Sequence, residues 1–154
     1  MWNRGWNCCT ELREVIWVLG MTVVKTEQLP LQTSSDVVTA RQRVRQFAIE
    51  LRFSLVDQTK LVTAASELAR NALDHGHGGQ MSVEVINGLS RTGLKLVFED
   101  HGPGIPDIEA ALKDGFSTGS GMGLGLGGSK RLVNEFAIES EVGKGTKVTV
   151  VRWK

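Results

Sequence analysis

The sequence predicts an α+β two-layer sandwich, in which a mixed, mostly antiparallel sheet carries its helices on one face. Two observations lead to this prediction. Strand-like and helix-like segments follow the order β-α-α-β-β-(α)-α-β-β, which differs from the regular alternation of a parallel sheet with crossover helices. The chain has 154 residues, of which 41% are hydrophobic, enough for one core and one domain.

Composition and charge limit the partners of this domain. The formal net charge is +1, without the excess of positive charge typical of proteins that bind nucleic acid or anionic lipid, so we expect neither partner. No apolar run approaches the roughly 20 residues of a membrane span. The two cysteines, Cys8 and Cys9, are adjacent and form no zinc-ligand pattern, which favours a reducing cytoplasm.

Residues 1–20 differ in composition from the rest of the chain. They lack the uninterrupted apolar core of a signal peptide, and they contain both cysteines and three of the four tryptophans, Trp2, Trp6 and Trp17. We expect either that Met21 is the natural start or that residues 1–20 are a loosely held extension of a domain over residues 21–154. An N-terminal helix that packs its tryptophans on the domain is the alternative.

The first strand and helix follow Met21. Residues 22–31 read as a strand that Pro30 ends, and Ser34 and Ser35 are the expected N-caps of a helix over about residues 36–52. Apolar residues at three- and four-residue steps predict its buried face: Val37, Ala40, Val44, Phe47 and Leu51. The other face carries Arg41, Arg43, Arg45 and Arg52. A solvated face is the favoured interpretation, and a docking surface for an acidic partner is the alternative.

A second helix is predicted over about residues 56–74. Its core stripe consists of Leu61, Ala65, Leu68 and Ala72. Glu67, Asn71 and Asp74 fall together on a separate stripe. The loop His75-Gly76-His77-Gly78-Gly79 follows, and its glycines supply the backbone freedom of a helix C-cap.

The remaining segments complete the sheet and add two short helices. Alternating hydrophobicity predicts strands over about residues 80–87, 94–99, 137–142 and 146–153. The first two form an antiparallel hairpin in the simplest pairing. Helices are predicted over about residues 107–113 and from Ser129 to Phe136, and the second begins its first turn inside the glycine-dense stretch 114–128.

Asp100-His101-Gly102-Pro103-Gly104 follows an apolar strand. A carboxylate there could accept a hydrogen bond from an exocyclic amine such as that of adenine, while Gly102 and Gly104 let the backbone approach a flat ligand. Many strand-to-loop turns have the same composition, so this motif alone favours an ordinary turn.

A run of alternating glycines precedes the last predicted helix: Gly119, Gly121, Gly123, Gly125 and Gly127. Unpaired N–H groups and the helix dipole make such a junction an anion site. The run lacks the G-K-[ST] ending of a P-loop, and no strand leads directly into it as in a dinucleotide fingerprint. Phosphate binding is favoured over a flexible loop, because the run is long and leads straight into a helix.

Two further features could act on a bound nucleotide. Glu67 and Asn71 share one helix face; the Asn71 oxygen suits Mg²⁺, and the Glu67 carboxylate could take a proton from an attacking hydroxyl. Thr146 follows the turn Gly143-Lys144-Gly145 and could place its hydroxyl near a base. Taken alone, an exposed polar stripe and a plain hairpin turn are the commoner interpretations.

Together and in this order, the motifs resemble the sequence boxes of the GHKL (Bergerat-fold, HATPase_c) superfamily of ATPases and kinases. The resemblance covers about residues 22–153. Residues 107–119, 123–126 and 129–136 look like those of RsbT-type switch serine-protein kinases. The related anti-sigma-factor kinases of the RsbW and SpoIIAB group have a more apolar helix start where this chain has Gly127-Gly128-Ser129-Lys130.

The resemblance implies a role for each matching residue. Asp100 would hold the adenine amine of ATP with help from Thr146, and Asn71 would ligate Mg²⁺. The backbone of Gly119 to Gly127 would enclose the phosphates. Glu67 would be the general base on a substrate serine or threonine hydroxyl.

The resemblance also implies partners. The expected substrate is a STAS-domain antagonist protein, and a switch kinase is released after phosphorylating it to activate a PP2C-type phosphatase by binding. One alternative is an anti-sigma factor that binds a sigma factor and phosphorylates its antagonist. The other is a non-catalytic module that senses ATP and binds a partner.

Overall fold

The computed structural model describes residues 20–113 and 125–154, which form a five-stranded sheet with helices. The strands are Thr22–Leu31 (β1), Gly79–Asn87 (β2), Thr92–Asp100 (β3), Glu135–Glu141 (β4) and Gly145–Trp153 (β5). The helices are Ser34–Glu50 (α1), Leu55–Asp74 (α2), Ile108–Ala111 (α3) and Gly125–Arg131 (α4). The strand order is β1-β2-β3-β5-β4, with every neighbouring pair antiparallel. The predicted α+β sandwich is confirmed. The sequence predicted a mixed, mostly antiparallel sheet, whereas all four strand pairs in the described residues are antiparallel.

Helices α1 and α2 pack on one face of the sheet, and the core lies between them. The predicted stripe of α1 is buried except for Leu51, which is half-buried against the core. From the sheet, alternate residues of β2, β3 and β5 point into the same core: Met81, Val83, Val85, Leu94, Leu96, Phe98, Val148 and Val150. The opposite face carries a small apolar cluster of Ile86, Val151 and Trp153, on which Met21 packs.

Helix α1 begins after Thr33, not after the expected Ser34 or Ser35. The Thr33 hydroxyl accepts a hydrogen bond from the Asp36 N–H at 3.2 Å, and the Asp36 carboxylate accepts one from the Thr33 N–H at 2.8 Å. This reciprocal capping box needs the acidic residue three positions after the cap, which only Thr33 satisfies. The backbone N–H groups of Gln32 and Thr33 lower the pKa of Asp36.

Helix α2 is joined to strand β5 of the sheet through its first turn. Ser54 caps the helix by accepting from the Asp57 N–H at 3.1 Å. Asp57 in turn accepts hydrogen bonds from the Ser54 hydroxyl at 2.8 Å and from Arg152 of β5 at 3.1 Å. The Ser54 hydrogen bond and, after it, Arg152 lower the pKa of Asp57. The N-terminus of α2 is therefore held to β5.

The last helix and strand lie earlier than expected. The sequence predicted a helix from Ser129 to Phe136, but α4 ends at Arg131 and β4 begins at Glu135. The Asn134 side chain accepts from the Trp153 N–H at 2.8 Å, and its own N–H donates to Val151 O at 2.9 Å. These bonds to β5 draw the chain into the sheet and override its local helical pattern.

Smaller expectations have mixed outcomes. The short helix expected over residues 107–113 is Ile108–Ala111, with Asp107 as its cap. Residues 1–19 and 114–124 lie outside the described part, so the interpretation of the N-terminal segment stays a prediction. Among the described residues, no helix is long and apolar enough to span a membrane.

Candidate functional site

A cavity of about 340 Å³ opens at the end of the sheet where β3 finishes and α2 ends. Apolar side chains line most of it: Leu68, Ala72, Phe98, Ile105, Ala111, Leu126 and Val148. Its polar lining includes Asn71, Asp100 and Thr146. A mainly apolar cavity with a few polar groups suits a heteroaromatic ligand.

Asp100 lines this cavity, and its carboxylate is held in place by backbone N–H groups. Its Oδ1 accepts hydrogen bonds from the Gly102 N–H at 3.0 Å and from the Thr146 N–H at 3.3 Å. Within the described residues, Oδ2 accepts no hydrogen bond. The carboxylate is therefore oriented by its own loop and by β5, while one oxygen remains available to a ligand amine.

Gly76 and Gly102 form the floor beneath Asp100. A Cβ at Gly76 would lie 2.2 Å from Cγ of Asp100 and 2.5 Å from Oδ2, and a Cβ at Gly102 would lie 2.6 Å from the Gly76 Cα. The three residues are thus packed without space for a methyl group. The sequence interpretation missed this role of Gly76, because the glycine-rich loop reads as a helix C-cap. The left-handed residues there are His77 and Gly78.

Ser140 braces the other wall and was also missed. Its hydroxyl accepts from the Ile105 N–H at 2.8 Å and donates to Gly145 O at 3.1 Å, and it lies 2.8 Å from the Thr146 hydroxyl. A serine in a strand carries no sequence signal of such a role. Gly104, a predicted site residue, has φ +77, and a Cβ there would lie 2.3 Å from Glu141 O.

Helix α2 contributes the residues that the sequence assigned to metal binding and proton transfer. Asn71 lines the cavity and is half-buried. Glu67 is one helical turn away, buried to 7% exposure, and is not part of the cavity wall. His75, whose role the sequence left open, lies at the cavity rim. Within the described ranges, no cluster of three His, Cys, Asp or Glu side chains could hold a metal ion.

The glycine run is only partly described. Gly125 begins α4 and lines the cavity, and Gly127 is buried so close to the chain after α3 that a Cβ would lie 2.4 Å from Leu112 O. Gly119, Gly121 and Gly123 lie outside the described residues. The end of the run therefore adjoins the cavity, as a phosphate-binding segment requires.

The described residues fit a bound adenine nucleotide. The cavity has apolar walls for the base, an oriented carboxylate with an available oxygen for the exocyclic amine, and a glycine-rich segment at its edge. These features on an α+β sandwich define a nucleotide-binding domain. Residues 56–154 match the histidine kinase-, DNA gyrase B-, and HSP90-like ATPase family (HATPase_c), and the chain belongs to this family. ATP is the nucleotide of this family.

Two individual relatives show which kinds of protein this chain is similar to. The chain is 46% identical over 123 residues to the serine/threonine-protein kinase RsbT of Bacillus subtilis, covering 80% of this chain and 92% of that protein. It is 36% identical over 118 residues to the anti-sigma F factor of Geobacillus kaustophilus, covering 71% of this chain and 78% of that protein. The resemblance to RsbT-type and anti-sigma-factor proteins is confirmed.

Solved structures share the fold at low sequence identity. The RsbU and RsbW domains of Rv1364c from Mycobacterium tuberculosis match with a TM-score of 0.57 at 20% identity, covering 85% of this chain. The chain spans only 33% of that longer protein. The SiaB-SiaC complex from Pseudomonas aeruginosa matches with a TM-score of 0.52 at 8% identity, covering 98% of this chain and 100% of that one.

Proposed function

We propose that the protein is an ATP-dependent serine/threonine-protein kinase of a bacterial regulatory switch. In this proposal it phosphorylates a STAS-domain antagonist protein and afterwards activates a PP2C-type phosphatase by binding it. The observation that carries the proposal is that one helix, α2, places Asn71 in the cavity wall and Glu67 one turn before it. The similarity to RsbT, which is named a serine/threonine-protein kinase, supports the same activity.

Asp100 and Thr146 would bind the adenine. The Asp100 Oδ2 is positioned to accept from the exocyclic amine, because Oδ1 is already engaged by two backbone N–H groups. The Thr146 hydroxyl is held beside Ser140 at the cavity wall and would orient the same edge of the base. Leu68, Phe98 and Val148 would exclude water from the ring faces.

Asn71 and the glycine run would hold the other end of the nucleotide. The Asn71 side-chain oxygen would ligate Mg²⁺, a cation that usually keeps several waters and is bound through few protein ligands plus phosphates. Bound Mg²⁺–ATP supplies the phosphoryl group and neutralises charge on the phosphates. The backbone from Gly119 to Gly127 would donate N–H groups to those phosphates.

Glu67 would act as the general base. Its carboxylate would accept the proton of the substrate serine or threonine hydroxyl as the hydroxyl oxygen forms its bond to phosphorus and ADP departs. Glu67 lies outside the cavity wall and is only 7% exposed, so this role requires that its carboxylate become accessible to the substrate hydroxyl when the protein substrate binds.

The test uses Mg²⁺, labelled ATP and the purified STAS-domain protein encoded beside this chain. We expect Glu67→Gln to abolish phosphoryl transfer while ATP binding stays within about twofold, because only the general base is lost. We expect Asn71→Ala to weaken both phosphoryl transfer and ATP binding, because the Mg²⁺ ligand is lost. Glu109→Gln is the control, because Glu109 is exposed and is not one of the residues that line the cavity. Wild-type transfer rates in Glu67→Gln would reject the base assignment. ATP binding without any transfer by the wild type would instead favour the nucleotide-sensing module.

An anti-sigma factor with kinase activity is the second candidate. The 36% identity to an anti-sigma F factor favours it. A purified sigma factor from the same genome that co-elutes with the chain in the presence of ATP, and is released when the antagonist protein is added, would support this candidate over the switch kinase.

A further inference from the structure

An exposed patch of mixed apolar and cationic residues surrounds the turn between α1 and α2. We call it the corner patch and define it by Arg45, Ile49, Arg52, Leu55 and Val56. The exposed fractions of Ile49, Leu55 and Val56 are 55%, 75% and 63%. The helical hairpin thus exposes three large aliphatic side chains to solvent within eight consecutive residues, although the rest of the hairpin is well packed. Exposed apolar residues grouped in this way indicate an interaction site.

The charges near the corner patch are paired, whereas its two arginines have no partner in the part of the chain that the structure describes. Arg43, on the side of α1 that faces β1, is ion-paired with Glu27, its Nε donating to Oε1 at 2.7 Å. By contrast, Arg45 and Arg52 have no side-chain hydrogen bond or ion pair among the described residues. The acidic residues closest to them in sequence are engaged elsewhere, Glu50 with Lys25 at 3.8 Å and Asp57 with Arg152 at 3.1 Å. The patch therefore presents uncompensated positive charge.

Arg52 occupies a backbone position at which glycine would be more stable. Its φ is +58, in the left-handed region, and the Phe53 N–H donates to Ala48 O at 2.9 Å to close the C-terminal turn of α1. Helices that end in this way usually have glycine at the left-handed position, because a Cβ there is strained. A strained residue with an unpaired side chain suggests that the side chain is kept for a function.

The chemistry of the patch selects its occupant. A nucleic-acid backbone would use the two arginines but would gain nothing from three exposed aliphatic side chains. A second copy docked through the same patch would bring Arg45 and Arg52 of both copies together, and like charges oppose such a contact. An acidic protein surface with an apolar ridge complements both the arginines and the aliphatic side chains of the patch.

We propose that the corner patch docks an acidic, partly apolar surface of a second protein that is not the phosphoryl acceptor. The cavity lies at the other end of α2: Asn71 is sixteen positions after Leu55, about 24 Å along the helix axis. A protein bound at the corner leaves the nucleotide end accessible. This identification rests on the proposed function, within which the occupant is the PP2C-type phosphatase.

The experiment measures the affinity of the purified phosphatase for the wild-type chain and for three variants, each with one substitution. Arg52→Gly relieves the backbone strain and removes the cation, so we expect its Tm to rise by about 2–4 °C while Kd for the phosphatase increases at least about tenfold. Arg52→Lys keeps a cation and should retain most of the affinity. Leu55→Ser should also weaken binding at least about tenfold, since its side chain is exposed and its loss leaves the core intact. Phosphoryl transfer to the STAS-domain protein should stay within about twofold of wild type in all three variants.

The outcomes separate this inference from the proposed function. If the wild-type chain does not bind the phosphatase, the phosphatase arm of the proposed function fails. If the wild type binds it and both Arg52→Gly and Leu55→Ser bind equally well, the corner patch is not the docking surface. If these variants instead raise KM for the STAS-domain protein about tenfold, the patch serves the substrate and the inference is overturned.

Discussion

Gly76→Ala should damage the nucleotide site, because it places a methyl group directly against the Asp100 side chain. The new Cβ would lie 2.2 Å from Cγ of Asp100, about 1.3 Å inside the roughly 3.5 Å at which two carbon atoms are in contact. Gly76 has no left-handed φ, so the backbone accepts alanine and the steric clash alone drives the effect. The carboxylate must move, which disturbs its hydrogen bonds from Gly102 and Thr146.

The magnitude follows from what Asp100 contributes. A hydrogen bond to a charged group is worth about 1.5–3 kcal/mol, so losing the bond to the adenine amine should raise Kd for ATP about 10- to 150-fold. Overpacking of this kind costs about 1–3 kcal/mol of stability, or a fall in Tm of about 2–12 °C. Calorimetric titration with a non-hydrolysable ATP analogue measures the first quantity, and thermal unfolding measures the second.

Gly88→Ala is the matched control for this experiment. Gly88 lies in the turn between β2 and β3, has no left-handed φ, and would place its Cβ at ordinary contact distance, 3.5 Å from the nearest atoms. We expect its affinity for the analogue to stay within about twofold of wild type, because it lies at the opposite end of β3 from Asp100. Wild-type affinity and Tm in Gly76→Ala would refute the close packing of Gly76 against Asp100.

Three further predictions follow from contacts at the site and at the start of α2. Asp100→Asn keeps an oxygen for the two backbone N–H groups but replaces the free acceptor by an N–H donor, so titration should show at least about a tenfold loss of nucleotide affinity with little change in Tm. Ser140→Ala removes the acceptor of the Ile105 N–H and should lower stability by about 1–3 kcal/mol in urea unfolding. The pKa of Asp57 is lowered in the folded state, so its stabilising effect is present above the ordinary value of 3.8 and is lost as pH falls through the lowered pKa. Asp57→Asn should therefore flatten the acid side of the stability–pH curve, and an unchanged curve would contradict the lowering of this pKa by Ser54 and Arg152.

The helices and strands were largely predictable from local pattern, with errors where distant contacts decide. The stripe from Val37 to Phe47 has a helical period that no other structure would satisfy, and it is buried as expected. The helix predicted to reach Phe136 failed because hydrogen bonds between Asn134 and β5 compete with it. The cap of α1 was also misplaced, although its signal is local, because only Thr33 has an acidic residue three positions later.

The sequence motifs predicted which chemical groups form the site, but they did not predict the positions of these groups relative to one another. Asp100, Asn71 and Thr146 were chosen from motifs, and the structure brings all three to one cavity. Gly76 and Ser140 were missed, because their importance arises from contacts with residues that lie far along the chain. Neither carries a local signal, since a glycine in a loop and a serine in a strand are common.

The sequence by itself determined the class of fold, the family and the types of residue available for nucleotide chemistry, because hydrophobic period and motif order are local properties. Only the tertiary structure decided which oxygen of Asp100 is available, that Glu67 lies outside the cavity wall, and that Arg52 forms no ion pair with the other described residues. These facts depend on the antiparallel pairing of β3 with β5 and on the packing of α2 over the sheet. Such pairings join residues as far apart as Asp100 and Thr146, so the geometry exists only once the chain has folded.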